Sequence, residues 1–265
     1  MTLKKYQMNK GTREGTEEEI SVTRKFNKKL DKEPWSILGL SPENNFAIHI
    51  ISKKYGKINQ GMILPKADIF IASGNVDNDY LKKNNFYLNE NDLSIFNLNP
   101  LSKTGISIKR SDSKKYQIIK MVPNTFLKVF KSNILAVGAS IYCSNPDEFI
   151  KNKNILKGWG VSELDFIRYF NKKISKSINS VTEINGKNQL IEIKKYSNVA
   201  IKEIINTNKE VSEFIFWGKG NFEEPYTATW LLEKNLLRKN YVIPFEVTTG
   251  SGRSKGDFTI VIKPS

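Results

Sequence analysis

Cysteine and histidine are almost missing from this chain: its 265 residues include one of each, Cys143 and His49. A single cysteine excludes an intrachain disulfide and suits a reducing compartment. Together the two cannot build a cysteine-histidine zinc site, and a lone histidine rules out a His-x-x-x-His metalloprotease helix. Nuclease classes that need two or more histidines for metal binding and base catalysis are excluded with them. Long apolar runs are also lacking; none approaches the ~20 residues that span a bilayer. The start, Met1-Thr2-Leu3-Lys4-Lys5, is basic but continues into polar residues instead of an apolar signal core. A soluble, cytoplasmic protein with no membrane association is expected. Acidic residues are scarce beside basic ones, 27 against 42, for a net charge of +15 and a pI near 9.6. Such an excess attracts polyanions through phosphate contacts and the counterions they release. The plainer reading is a surface rich in Lys and Asn through composition bias.

What is present is ordinary for a folded globular chain: 39% hydrophobic and 26% charged residues. The expected class is α/β, a mixed central β-sheet flanked by helices, with a more helical C-terminal half. One domain over 1–265 is expected, with a subdivision near residue 155. Residues 1–15 read as a flexible lead. Thr16-Glu17-Glu18-Glu19 has the form of a capping box and predicts a helix to about Lys29 or Leu30, with Glu19, Thr23, Phe26 and Leu30 on one face. His49 lies in the apolar run Phe46 to Ile51 and reads as a structural residue within a strand over 46–53. A turn at Gly56 and a short strand over 61–64 follow.

Asp68 to Ala72 reads as a strand, 75–103 as mostly irregular, and Ile106 to Lys109 as a strand paired in a hairpin with Tyr116 to Met121. Pro123 opens a helix. Further helices are predicted at about 161–176, 189–206 and 227–238, and closing strands over Val242–Thr248 and Phe258–Lys263.

Two of these segments carry chemistry. Pro65-Lys66-Ala67-Asp68-Ile69-Phe70-Ile71 puts an acid at the head of an apolar run. Gly105-Ile106-Ser107-Ile108-Lys109-Arg110 puts a lysine two positions after a small polar residue. Side chains repeat every two residues on a strand, so Ser107 and Lys109 share a face. If the two strands pair, Asp68, Ser107 and Lys109 converge on one ion and its water. Carboxylate oxygen suits Mg²⁺, which keeps several waters and takes only one or two protein groups. Asp68 is the leading ligand, and the Ile108 carbonyl is free to be another. A rival acid-x-lysine, Glu192-Ile193-Lys194, falls in a helical pattern that would splay the pair around the helix.

Pro65-x-x-Asp68 followed by Ser107-x-Lys109 resembles the PD-(D/E)xK nuclease family, across roughly residues 11–122. That family includes many type II restriction endonucleases. The resemblance implies a mixed sheet flanked by helices, Mg²⁺ as cofactor and cleavage leaving a 5′-phosphate. It makes Asp68 a metal ligand and Lys109 the cation that orients the attacking water. Ser107 stands where the family usually has a second acid. Some restriction enzymes carry serine there and recruit an acid from another element; Glu19, on a helix similar to the family's N-terminal one, is the choice for that role.

The run Arg110, Lys114, Lys115 after the site, and Arg253 with Lys255 on a glycine-rich loop, are candidate DNA contacts. Mobile, solvated charges are the competing reading for the loop. Trp159 and Trp217 stack on bases or pack, packing being favoured. The function expected is Mg²⁺-dependent cutting of double-stranded DNA at a short specific sequence, by a homodimer. The alternatives are a non-enzymatic DNA-binding protein, a structure-specific repair or recombination nuclease of the same fold, and an RNA-binding factor.

Overall fold

A hydrogen-bonded asparagine fixes the geometry of the N-terminal helix. The computed structural model describes residues 10–50, 65–109, 116–240, 242–249 and 258–265. Helix α1 (Lys10–Lys28) lies along strand β1 (Asn45–His49). The Asn27 side chain donates to Ala47 O (2.8 Å) and accepts from Ala47 N (2.9 Å), so it satisfies the outer edge of β1 as another strand would. Val22 and Phe26 bury the helix face beneath it. The expected face was right at Thr23 and Phe26 but not at Leu30, which is 85% exposed. Lys29, with φ of 56°, ends the helix before Leu30 is reached. The helix also begins before the predicted capping box, so residues 10–15 are helical and Thr16 to Glu19 lie inside it.

A short helix α2 (Glu33–Leu38) precedes β1, which pairs antiparallel with β2 (Ile69–Ser73), His49 opposite Ile69. The stretch expected to be irregular instead holds α3 (Asn78–Lys83), α4 (Glu90–Ile95) and a two-residue strand β3 (Asn99–Pro100) on β2. Asp77 caps α3, and Asn89 with Asp92 forms a capping box on α4. Strand β4 (Ile106–Lys109) spans the predicted residues. Its partners are β2, antiparallel, and β6 (Trp230–Glu233), parallel.

The predicted hairpin of β4 with 116–121 is not formed. Strand β5 (Ile119–Met121) pairs with a later strand in a separate sheet. The predicted helix over 227–238 is also overturned. It is a hairpin of β6 (Trp230–Glu233) and β7 (Leu236–Lys239), turned by Lys234 and Asn235, both at positive φ (49° and 66°). Among the described residues the central sheet runs β1-β2-β4-β6-β7, with β3 beside β2. Antiparallel and parallel pairings make it mixed, and helices cover both faces. Phe46, Ile48, Phe70 and Ala72 meet Leu81 of α3 and Leu93 of α4. Ala47, Ile69, Ile71, Ile106 and Ile108 meet Val22, Phe26 and Trp35.

The chain forms two compact units. The first comprises 1–114 and 217–241 and contains the mixed sheet; the second comprises 115–216 and 242–265. The expected subdivision near residue 155 falls inside the second unit. That unit is mainly helical: α5 (Pro123–Phe130), α6 (Ile134–Ser140), α7 (Asn152–Trp159), α8 (Glu163–Phe170) and α9 (Lys187–Thr207), followed by α10 (Lys209–Trp217). Its small sheet has β9 (Ile260–Pro264) between β5 and β8 (Phe245–Thr249). Helices α6 and α9 approach closely at Gly138, where a Cβ would stand 2.1 Å from Ser197 Oγ. Trp159 is buried edge-on to Phe126, which is the packing role. Glu192 and Lys194 are on α9, as expected, and Glu192 accepts from Ser175 N and Oγ.

Candidate active site

The site forms where β2 and β4 part. The two strands register at one pair, Ile69↔Ile106, with Asp68 N donating to Ile106 O (2.9 Å). Trp230 N donates to Gly105 O, so Gly105 and every second residue after it turn their backbone groups toward β6. Ile106 and Ile108 therefore face the β2 side. Opposite Ile108 the β2 ladder has ended, and the Asp68 carboxylate takes its place: Ile108 N donates to Asp68 Oδ2 at 2.6 Å. The Ile108 carbonyl opens into the same gap.

Asp68, Ser107 and Lys109, predicted to converge, do so. The Ser107 hydroxyl donates to Asp68 Oδ2 at 3.2 Å and accepts from Lys109 Nζ at 2.8 Å. Ser107 is 2% exposed, so this bridge is shielded from water. Ser107 and Lys109 lie on the face opposite Ile106 and Ile108, as the strand period requires, and the Asp68 carboxylate meets Ser107 there. Burial pushes the Asp68 carboxyl up to about 6; Lys109 draws it down, Glu19 pushes it further up, and the Ile108 and Ser107 hydrogen bonds pull it back.

Glu19 stands on α1 and is engaged by the strand beside it. Its Oε2 accepts a bond from His49 Nε2 at 3.1 Å, and its side chain keeps 25% of its exposure. Its charge acts on Asp68. Glu19 lies in the interior of α1, which begins at Lys10, and its side chain is engaged by His49. His49 is buried, at 1% exposure, in keeping with a structural residue, and its ring is tied to Glu19.

Lys66 was missed. It lies two residues before Asp68, ahead of β2, and the charges of Lys109 and Asp68 both act on it. Burial lowers its ammonium to about 7, with Lys109 lowering it further and Asp68 raising it. Its stem is crowded by the chain at Gly218 (φ 77°), where a Cβ would stand 2.9 Å from Lys66 Cβ.

Among the described residues no three His, Cys, Asp or Glu side chains gather as a ready cage for a metal. The donors on hand, the Asp68 carboxylate and the Ile108 carbonyl on the same side of β4, are of the type a hard, water-retaining cation takes, and the Glu19 charge disfavours ionised Asp68. A divalent cation would relieve that repulsion. Arg110, Lys114, Lys115, Arg253 and Lys255 lie outside the described residues, as do the turn at Gly56 and the strand expected over 61–64. Among the described residues, no helix is long and apolar enough to cross a membrane.

No protein-family model and no curated protein matches the chain. Among solved structures, a crystal structure of restriction endonuclease MspI in complex with its cognate DNA is similar at a TM-score of 0.35 and 14% identity, over 92% of this chain and 83% of that one. A likeness at that distance carries no argument about the site, which rests on its own geometry.

Proposed function

We propose that this chain is a Mg²⁺-dependent deoxyribonuclease of the type II restriction class, cutting both strands of a short specific sequence in duplex DNA. The observation that carries the reading is the chain of contacts Asp68–Ser107–Lys109 at a strand divergence, in a protein with a net charge of +15. Asp68, the Ile108 carbonyl and Glu19 would hold the cation. Bound Mg²⁺ supplies positive charge at the phosphoryl oxygens and makes a coordinated water more acidic.

The residues of the chain do the rest. Lys109 Nζ, steadied by Ser107 Oγ, holds the attacking water and offers its remaining donors to the phosphoryl oxygens as charge builds there. The water oxygen bonds to phosphorus as the bond to the 3′ oxygen breaks. The water's proton passes to solvent and the 3′ oxygen takes one up, giving a 5′-phosphate and a 3′-hydroxyl. Ser107 cannot ionise, so it orients Asp68 and Lys109 and binds no metal as an anion. Two cuts on a duplex favour a two-fold homodimer.

Incubating the protein with a long duplex DNA of known sequence, with and without Mg²⁺, tests this. Discrete fragments that require Mg²⁺ and share one terminal sequence are expected. Salt-sensitive binding without cleavage would make the chain a DNA-binding protein. Cleavage only at junctions or flaps would make it a structure-specific nuclease.

A further inference from the structure

The first unit holds a cavity of about 410 Å³ whose lining includes none of Asp68, Ser107 and Lys109. Three chain segments build it. The turn before β4 gives Lys103, the stretch between α10 and β6 gives Trp217, Lys219 and Thr229, and the end of β7 gives Lys239. Hydrogen bonds tie these segments together: Trp230 Nε1 donates to Lys103 O at 2.9 Å, Asn240 N to Thr229 O at 2.9 Å, and Ala228 N to Trp217 O at 2.8 Å. The cavity is thus formed before anything enters it. Glu224 is the one acid in its lining, and both carboxylate oxygens are engaged. Oε1 accepts from Thr227 Oγ1 at 2.6 Å and Oε2 from Lys103 N at 2.8 Å. The Lys103 and Lys239 ammoniums are exposed and make no ion pair among the described residues. Three lysines against one engaged carboxylate favour an anion. The Trp217 N–H is committed to Asn240 O, so the ring offers the cavity only carbon surface.

We propose that this cavity binds one unpaired nucleotide, with its phosphate among the lysines and its base against Trp217. Phosphate oxygens accept strong hydrogen bonds from ammoniums, and a base of any identity has a face that stacks on an aromatic ring. Size narrows the choice further. The volume falls in the range of small-ligand pockets, roughly 300–1,000 Å³. Inorganic phosphate would fill a small part of it, and a base-paired duplex is too wide to enter. A single nucleotide, with one ring system and one phosphate, uses both the aromatic and the basic wall. That chemistry has two sources, a free 5′-mononucleotide and an unpaired position in a DNA strand. Neither requires the cutting reaction, and Asp68 takes no part in either.

The test is isothermal titration calorimetry of the full chain without divalent cations, with deoxyadenosine 5′-monophosphate as the probe. One site per chain is expected, with inorganic phosphate and deoxyadenosine each binding at least about tenfold more weakly. Lys103→Ala and Lys239→Ala truncate exposed side chains, and each is expected to weaken mononucleotide binding roughly tenfold or more. Lys153→Ala, at an exposed position of the second unit, should change nothing, and Asp68→Ala should bind like wild type. Tryptophan fluorescence gives a second reading: the mononucleotide should quench wild type but not Trp217→Phe. Displacement of the mononucleotide by a 5′-phosphorylated single strand would identify the ligand as a nucleotide of DNA, and failure to displace it would identify the free one. Four results would each overturn the proposal: no saturable binding, phosphate binding as tightly as the mononucleotide, affinity insensitive to Lys103→Ala and Lys239→Ala, or binding lost in Asp68→Ala.

Discussion

In the proposed metal site Asp68 would carry a negative charge where burial and Glu19 oppose one. Its carboxyl is pushed up to about 6 from the ordinary 3.8, chiefly by burial, with Lys109 counteracting and Glu19 adding to the rise. A folded-state value above the unfolded one means that the fold binds the proton more tightly than the unfolded chain does. The associated stabilisation is fully present below 3.8 and is lost as pH climbs through about 6. Metal-free Asp68→Asn should therefore melt higher than wild type above pH 6, and the gain should vanish as pH falls to 3.8. A difference in melting temperature that does not vary with pH would contradict this. Cleavage should fall about tenfold per pH unit below pH 6, as protons compete for the ligand. Ser107→Ala removes the hydroxyl between acid and amine. Single-turnover cleavage should slow roughly tenfold, the size of one good hydrogen bond, and unaltered cleavage would reduce Ser107 to filler.

At this scale the sequence was informative where a strand's two-residue period applied. Ser107 and Lys109 could be aligned with Asp68 from the sequence, whereas Lys66, in the bend ahead of β2, is not placed by that rule. The Glu19–His49 contact could not, because it joins a helix to a strand 30 residues away.

Among elements, β4 is the one on which the site depends, and Gly105 is where it is set. The backbone of 225–227 crosses so close that a Cβ on Gly105 would stand 1.9 Å from Thr227 O and 2.4 Å from Pro225 O. Backbone atoms cannot yield as a flexible side chain does. Gly105→Ala should destabilise the protein by about 1–3 kcal/mol and displace Lys109, seen as a lower melting temperature with weaker cleavage. An unchanged melting temperature would show that the crossing chain can move. Strand β4 was readable because it is short, apolar on alternate residues and preceded by glycine.

The hairpin β6–β7 was not. Its Leu231-Leu232 and Leu236-Leu237 repeat at a spacing that also suits a helix, and its turn uses Lys234-Asn235 at positive φ. Lysine seldom adopts that conformation, so the sequence carries no familiar Asn-Gly signal there. Helices α3 and α4 hid in an Asn-rich stretch because Asp77 and Asn89, read as loop residues, are their caps. Strand β5 sits close to β4 in sequence, yet it pairs with β9, about 140 residues later, a long-range choice that local pattern does not encode.

For the whole molecule the relevant quantities are charge and continuity. The first unit is closed only when the chain returns at Trp217, since β6 is the parallel partner of β4. Binding to duplex DNA should weaken steeply with salt, by about 0.9 in the logarithmic slope for each phosphate neutralised. Lys109 can account for at most one such contact among fifteen excess charges. Binding and chemistry can thus be separated in a single variant. The decisive measurement is single-turnover cleavage of a bound duplex by wild type and Lys109→Ala at saturating Mg²⁺, with affinity measured on the same samples. The account predicts that cleavage drops roughly 10²–10³-fold or more while affinity changes little. Equal cleavage rates in the two proteins would contradict it.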